Sequence, residues 1–164
     1  MGIEDVILGF VSSGVCASLY LVLFRKKIIE KVNFKLKRKI LNLSIIILLH
    51  VSIFILLFTH GINSFWCTLL TMFSASLFLL FKKRHLYVPA FINGLLMVLL
   101  VTPIYFIMTS LTPHLVEQTW MTNNLLGIYF LKIPIEDYIF YFLSGILCFA
   151  AYPFLKDGVI KNLK

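Results

Sequence analysis

Ile133-Pro134-Ile135-Glu136-Asp137-Tyr138-Ile139-Phe140-Tyr141-Phe142 sets a proline, two adjacent carboxylates and a run of aromatics at the mouth of an apolar segment that runs on to residue 155. That segment has the roughly 20 mostly apolar residues a membrane-spanning helix needs. Pro134 suits a helix start, because its missing N–H is one the first turn leaves unpaired anyway. Glu136 and Asp137 then fall in the first turn, where the helix dipole favours negative charge. The stretch therefore predicts a spanning helix that opens on a pair of acids.

The rest of the chain is of the same kind. Of its 164 residues 60% are hydrophobic and only 13% charged, with a mean hydropathy of +0.97. A soluble domain carries about 25% charged residues, so the composition predicts an all-α integral membrane protein, a single membrane domain over residues 1–164. Apolar runs at about 6–24, 40–58, 65–81, 87–111 and 135–155 predict five transmembrane helices, with Pro103 a kink point in the fourth. The first run begins with Glu4 and Asp5, not with the basic residues of a cleavable signal.

Charge sets the orientation. Fourteen of the 15 Lys and Arg residues fall after the first run, between the third and fourth, or after the fifth, and only Lys132 falls on the opposite side. This split predicts an N-terminus outside, a C-terminus in the cytoplasm, and a multi-pass protein of a prokaryotic plasma membrane. The net charge of +8 is then read as basic loops beside anionic lipid, with no nucleic-acid partner. In the first loop, 25–39, Ile28, Ile29, Val32, Phe34 and Leu36 interleave with lysines. That pattern fits an interfacial amphipathic helix or a plain topology signal touching anionic headgroups. Cys16, Cys67 and Cys148 form no CxxC and no cluster with His, so they read as packing residues, and no metal site or cofactor motif is present.

The opening stretch has a second copy. Ile3-Glu4-Asp5 lies over Ile135-Glu136-Asp137 at an offset of 132 residues, and the match continues through Ile7/Ile139, Phe10/Phe142, Ser12/Ser144, Cys16/Cys148 and Tyr20/Tyr152. The first and fifth helices thus read as parallel repeats, residues 1–24 being a partial one. Parallel repeats about an axis along the membrane normal are a known membrane architecture.

Two uses of the acids stand side by side. Glu4, Asp5, Glu136 and Asp137 can cap two helices at headgroup level. Alternatively, one acid of each pair faces the bundle while its neighbour, about 100° round the helix, faces water. Burial and mutual repulsion favour keeping a proton on one of two inward carboxyls, which then serves as a general acid toward an apolar substrate. Tyr138, Phe140, Tyr141, Phe142 and Phe149 are the aromatics placed to line such a pocket and to face a carbocation. The loop at about 112–134, with His114, Glu117, Trp120, Asn123, Asn124 and Gly127, is long enough to cap it. Elsewhere His50 is an ionisable residue in mid-span, read here as a neutral histidine bonded to a backbone carbonyl.

Leu100-Val101-Thr102-Pro103, Trp120, Asn124, Gly127 and Pro134-Ile135-Glu136-Asp137-Tyr138-Ile139-Phe140 together resemble the membrane-embedded lycopene cyclase domain of archaeal, actinobacterial and fungal type. The resemblance covers about 65–155, a three-helix unit whose third helix opens on Pro-x-Glu-Glu/Asp. It implies cyclisation of a linear polyene in carotenoid biosynthesis. A terminal double bond is protonated, the cation closes to a six-membered ring, and a proton is lost, with no net redox change and no cofactor. On that resemblance the chain is an intramolecular cyclase of the isomerase/lyase class. Glu136 and Asp137 inherit the acid and base candidacy, with Glu4 and Asp5 following through the repeat. Pro134, Trp120, Asn124, Tyr138, Phe140, Tyr141 and Phe142 become candidate contacts to a polyene or other isoprenoid. The family often places an acid just after the Thr-Pro of its middle helix, where this chain has Ile104, Tyr105 and Phe106. A homodimer would supply two copies of the full motif, and a heteromer is the other assembly expected. The alternatives are a non-catalytic module binding lipid or partner subunits, marked by acids facing headgroups and no internal apolar cavity, and a small transporter, marked by a polar path through His50, Ser74, Ser76 and Asn93.

Overall fold

The computed structural model describes the backbone of residues 3–30, 36–112 and 125–163. Its helices are α1 (Ile3–Leu23), α2 (Leu36–Thr59), α3 (Ser64–Lys82), α4 (Tyr87–Leu111) and α5 (Ile135–Lys156), with one 3₁₀ turn at Arg84–Leu86 leading into α4. Among the described residues four short strands lie outside the helices: β1 (Lys26–Ile29), β2 (Tyr129–Phe130), β3 (Ile133–Pro134) and β4 (Val159–Asn162). Among the described residues α2, α3, α4 with its preceding turn, and α5 are each long and apolar enough to cross a membrane, at 24, 19, 28 and 22 residues. The apolar length described in α1, Gly9–Leu23, is shorter. The five apolar runs are thus five helices, and four of them meet the spanning length.

α5 is the hub, packed against α1, α3 and α4. Phe149, Ala150, Phe154 and Ile146 of α5 meet Leu79 and Leu80 of α3, Ala90 of α4 and Tyr20 of α1 in one buried cluster. Higher on α5, Leu143 meets Leu69 and Met72 of α3. By contrast α2 has no buried residue. It is held to α5 by Asn42, whose amide donates to the Phe154 carbonyl at 3.0 Å.

The α4–α5 crossing depends on two glycines. A Cβ on Gly145 would stand 2.9 Å from the Gly94 Cα and 3.1 Å from the Asn93 carbonyl oxygen, and one on Gly94 would stand 2.9 Å from the Phe142 carbonyl oxygen. All three of these atoms are backbone, so neither position has room for a side chain. Small residues are what allow helices to approach this closely where hydrocarbon replaces water outside. Beside the crossing, the fully buried Asn93 ties three helices together. Its Oδ1 accepts from Tyr20 N at 2.8 Å, and its Nδ2 donates to Cys16 O at 2.6 Å and Gly145 O at 2.8 Å. Tyr20 N and Cys16 O are the two groups of one helical i→i−4 step, so this amide sits on the ladder of α1. A buried side-chain amide satisfied on both its ends is the condition for keeping it in an apolar core.

At one end of the bundle basic residues gather. There β1 pairs antiparallel with β4, Ile28 opposite Ile160 and Lys26 opposite Asn162. Lys83, at the end of α3, forms an ion pair with Asp157, the left-handed C-cap of α5. The 25–39 segment therefore departs from the interfacial-helix expectation: Lys26–Ile29 is a strand, Leu36 onward is already α2, and residues 31–35 lie outside the described structure. The reason is long-range. The strand's backbone partner is the chain's last segment, and a local reading of Ile and Lys alternation does not contain it.

Candidate functional site

At the opposite end, α5 is entered through a hairpin. Tyr129 pairs with Pro134 and Phe130 with Ile133, and the two turn residues, Leu131 and Lys132, both have positive φ, 50° and 65°. Two consecutive left-handed residues make a type I′ turn, normally the place of Asn and Gly, so a leucine and a lysine are held there at some cost. Ile135 N donates to Ile128 O at 3.0 Å, which fastens the hairpin to the first turn of α5. Ile133 and Pro134 are buried by this arrangement.

Both acids of the first turn are buried, Glu136 at 0% exposure and Asp137 at 2%. They point to different partners. Glu136 Oε1 accepts from the backbone N–H of Leu126, in the segment before the hairpin. Its Oε2 is buried and has no hydrogen-bond partner among the described residues. Asp137 Oδ2 accepts from the Tyr105 hydroxyl of α4 at 2.8 Å. The expectation that one acid of the pair would face water does not hold, because α4 covers one side of the helix mouth and residues 125–128 cover the other. Neither carboxyl forms an ion pair with a described Lys or Arg; the described ion pairs lie at the basic end. Pro134, the N-cap of α5, makes no side-chain capping bond.

The aromatics divide. Tyr141, one turn beyond Asp137 and half-buried, is within electrostatic reach of Asp137 and of Cys16. Tyr138 donates its hydroxyl to Phe130 O at 3.2 Å and packs its ring on Phe130, so it braces the hairpin. Phe140 packs toward α3, and Phe142 stands edge-on to Phe91 of α4 at 5.3 Å. Phe149 is fully buried in the core near the basic end. Glu4 and Asp5 have their backbone in the first turn of α1, and their side chains lie outside the described structure, as do Trp120 and Asn124 altogether. His50 lies half-buried on α2, and no group of three or more His, Cys, Asp or Glu among the described residues is placed to hold a metal ion.

Tyr105 is the site residue that the sequence did not single out. In an apolar helix a tyrosine reads as a packing or interface residue. The available signal was positional and coarse: Tyr105 is one of the three residues after Pro103, Ile104, Tyr105 and Phe106, that stand where the resemblance leads one to expect an acid. Cys16 and Cys148 were likewise read as separate packing residues, yet their side chains come within reach of each other between α1 and α5.

A family model described as lycopene cyclase matches residues 63–155, more than half the chain. No curated protein and no solved structure matches it.

Proposed function

The chain belongs to the lycopene cyclase family, and on that premise we propose that it is an intramembrane acid catalyst that cyclises a linear polyene or related isoprenoid. The observation that carries this reading is Glu136. It is fully buried, its Oε1 is fixed by the Leu126 amide, and its Oε2 has no donor among the described residues. A positioned carboxyl out of water, with one oxygen left unpartnered, suits protonation of an alkene carbon. Glu136 delivers the proton from Oε2 to the terminal double bond. A neighbouring double bond attacks the cation and closes the ring. Asp137, held in one orientation by Tyr105, faces the developing positive charge and takes the proton that leaves the ring carbon. One proton enters and one leaves, so the product is an isomer of the substrate. Tyr141 offers an aromatic face on the Asp137 side.

The burial of both acids speaks against a non-catalytic module with headgroup-facing carboxylates. It also gives no support to a transporter. Ser74 donates to Leu70 O and Asn93 to two carbonyls, so these two answer backbone partners, while the buried Ser76 hydroxyl has no partner among the described residues.

The same reading places the acid end outside and the basic end in the cytoplasm of a prokaryotic plasma membrane, by the charge of the loops. It also takes α1 with β1 and α5 with β4 as parallel repeats. Two contacts support this. Cys16 meets Cys148, and Ile28 pairs with Ile160, each pair 132 residues apart, the same offset at which the sequence repeats. Equivalent residues meet where an approximate two-fold axis runs lengthwise between the two helices and crosses the two antiparallel strands at right angles.

The test is expression of the chain in a lycopene-accumulating bacterium, with pigments separated by chromatography. Cyclic carotene that disappears in Glu136→Gln supports the reading. Unchanged lycopene from a protein shown to be folded in the membrane refutes it for that substrate.

A further inference from the structure

At the basic end, α2 and α5 leave a groove of about 250 Å³ between them, walled by Ile40, Leu43, Tyr152 and Leu155 and rimmed by Lys39 and Lys156. We propose that this groove is a binding site for an anionic phospholipid, with part of one acyl chain between the helices and the phosphate between the two lysines. The site is independent of the cyclase reading.

Three observations carry it. The walls below the rim are hydrocarbon and aromatic, and the charges stand at one end only, which is the order of groups in a phospholipid. The two ammoniums also converge on one anion already: Lys39 pairs with Glu30, and Lys156 lies 4.0 Å from the other oxygen of the same carboxylate. Glu30 thus marks the place a phosphate would take, and at 35% exposure it is bound loosely enough to be displaced. Finally, the seam is fixed. Asn42 clamps α2 to the Phe154 carbonyl, and the Lys156 ammonium lies 4.9 Å from the centre of the Tyr152 ring, which lays its stem along the groove. A free phosphate would satisfy the lysines and leave the apolar walls bare. A neutral phospholipid would fill the walls and leave the lysines to Glu30. Only a lipid with a net negative headgroup does both.

Native mass spectrometry of the full chain in detergent tests this, titrating phosphatidylglycerol, phosphatidylcholine with the same acyl chains, and inorganic phosphate separately. Phosphatidylglycerol is expected to bind about tenfold or more tightly than phosphatidylcholine, from two lysines beside one phosphate. In Lys39→Gln/Lys156→Gln the two lipids should bind equally, and in Glu30→Gln phosphatidylglycerol should bind more tightly than in the wild type. Leu43→Trp, which fills the groove, should weaken both lipids. Equal binding of the two lipids by the wild-type chain, or a phosphatidylglycerol preference that survives loss of both lysines, would overturn the proposal. So would inorganic phosphate binding as tightly as phosphatidylglycerol, which would mark a plain anion site.

Discussion

At the basic end of the bundle Glu30 and Asp157 each meet a lysine and keep 35% and 26% of their side-chain surface exposed. At the acid end Glu136 and Asp137 are 0% and 2% exposed and meet a backbone amide and a phenol. The first pair of acids is placed as electrostatics alone would place it. The second is not, since burying a carboxyl away from water and from any cation works against folding. The surroundings hold it there through a strained hairpin, a fastened first turn and a tyrosine from α4. Ionisable groups kept inside a membrane bundle at such expense mark working sites. On the proposed reading the comparison separates acids that stabilise from acids that act, and it predicts opposite responses to substitution.

The largest effect is expected at Glu136. Glu136→Gln keeps the shape and an oxygen that can accept from Leu126 N, so the fold should survive, while the proton donor is lost. Turnover in the pigment assay should fall by about 10²- to 10⁴-fold, the usual contribution of a positioned general acid. Thermal stability in detergent should be unchanged or slightly raised. A variant that unfolds while any residual folded fraction keeps its turnover would move Glu136 into the class of Glu30.

Tyr105→Phe comes next. It removes the single described hydroxyl that orients Asp137 and leaves the ring in place. A hydrogen bond to a charged acceptor contributes about 1.5–3 kcal/mol, so turnover should drop by about 10- to 100-fold if that bond matters in the transition state. Tyr105→Glu, which puts a second carboxyl donor or acceptor beside Asp137 at this place, should retain more activity than Tyr105→Phe. If Tyr105→Phe and wild type convert substrate equally, Asp137 needs no orientation and the base belongs elsewhere.

How much of this was legible follows the same division. The apolar runs showed the helices, because about 20 residues without charge have few other uses. The Glu136-Asp137 pair stood out for the complementary reason: charge in such a context is expensive. What stayed hidden are contacts whose partners lie far along the chain. Asn93 looked like one polar residue in α4, and nothing near it revealed that Cys16, Tyr20 and Gly145 would surround its amide. Tyr105 lies 32 residues before Asp137 and has the ordinary look of an interfacial aromatic. The β1 strand resembled a lipid-facing helix because its hydrogen-bond partner is the end of the chain. The repeat offset was readable, but its meeting points at Cys16–Cys148 and Ile28–Ile160 were not.

At the basic end the effects shrink. Lys83→Met removes the lysine that pairs with Asp157 at the C-cap of α5, in a partly buried place. A loss of about 1 kcal/mol or less is expected, read as a lowered denaturation midpoint, with turnover per folded molecule unchanged. A loss of turnover here without loss of stability would mean that the two ends are coupled, which the comparison denies.

The smallest effect belongs to Glu30, and its sign can be worked out. The Lys39 ammonium beside it holds its carboxyl below the ordinary value of 4.5. A carboxyl whose folded value is depressed contributes stability that is present above its unfolded value and is lost as pH falls through the folded one. The difference in melting temperature between wild type and Lys39→Met should accordingly be small at neutral pH, shrink in high salt, and vanish once the pH is well below 4.5. Because Glu30 is open to solvent, salt should erase the difference at neutral pH as completely as acid does. A difference that resists salt would show that the Lys39–Glu30 pair is held out of water, and that the contrast between the two ends rests on the choice of partner and not on exposure.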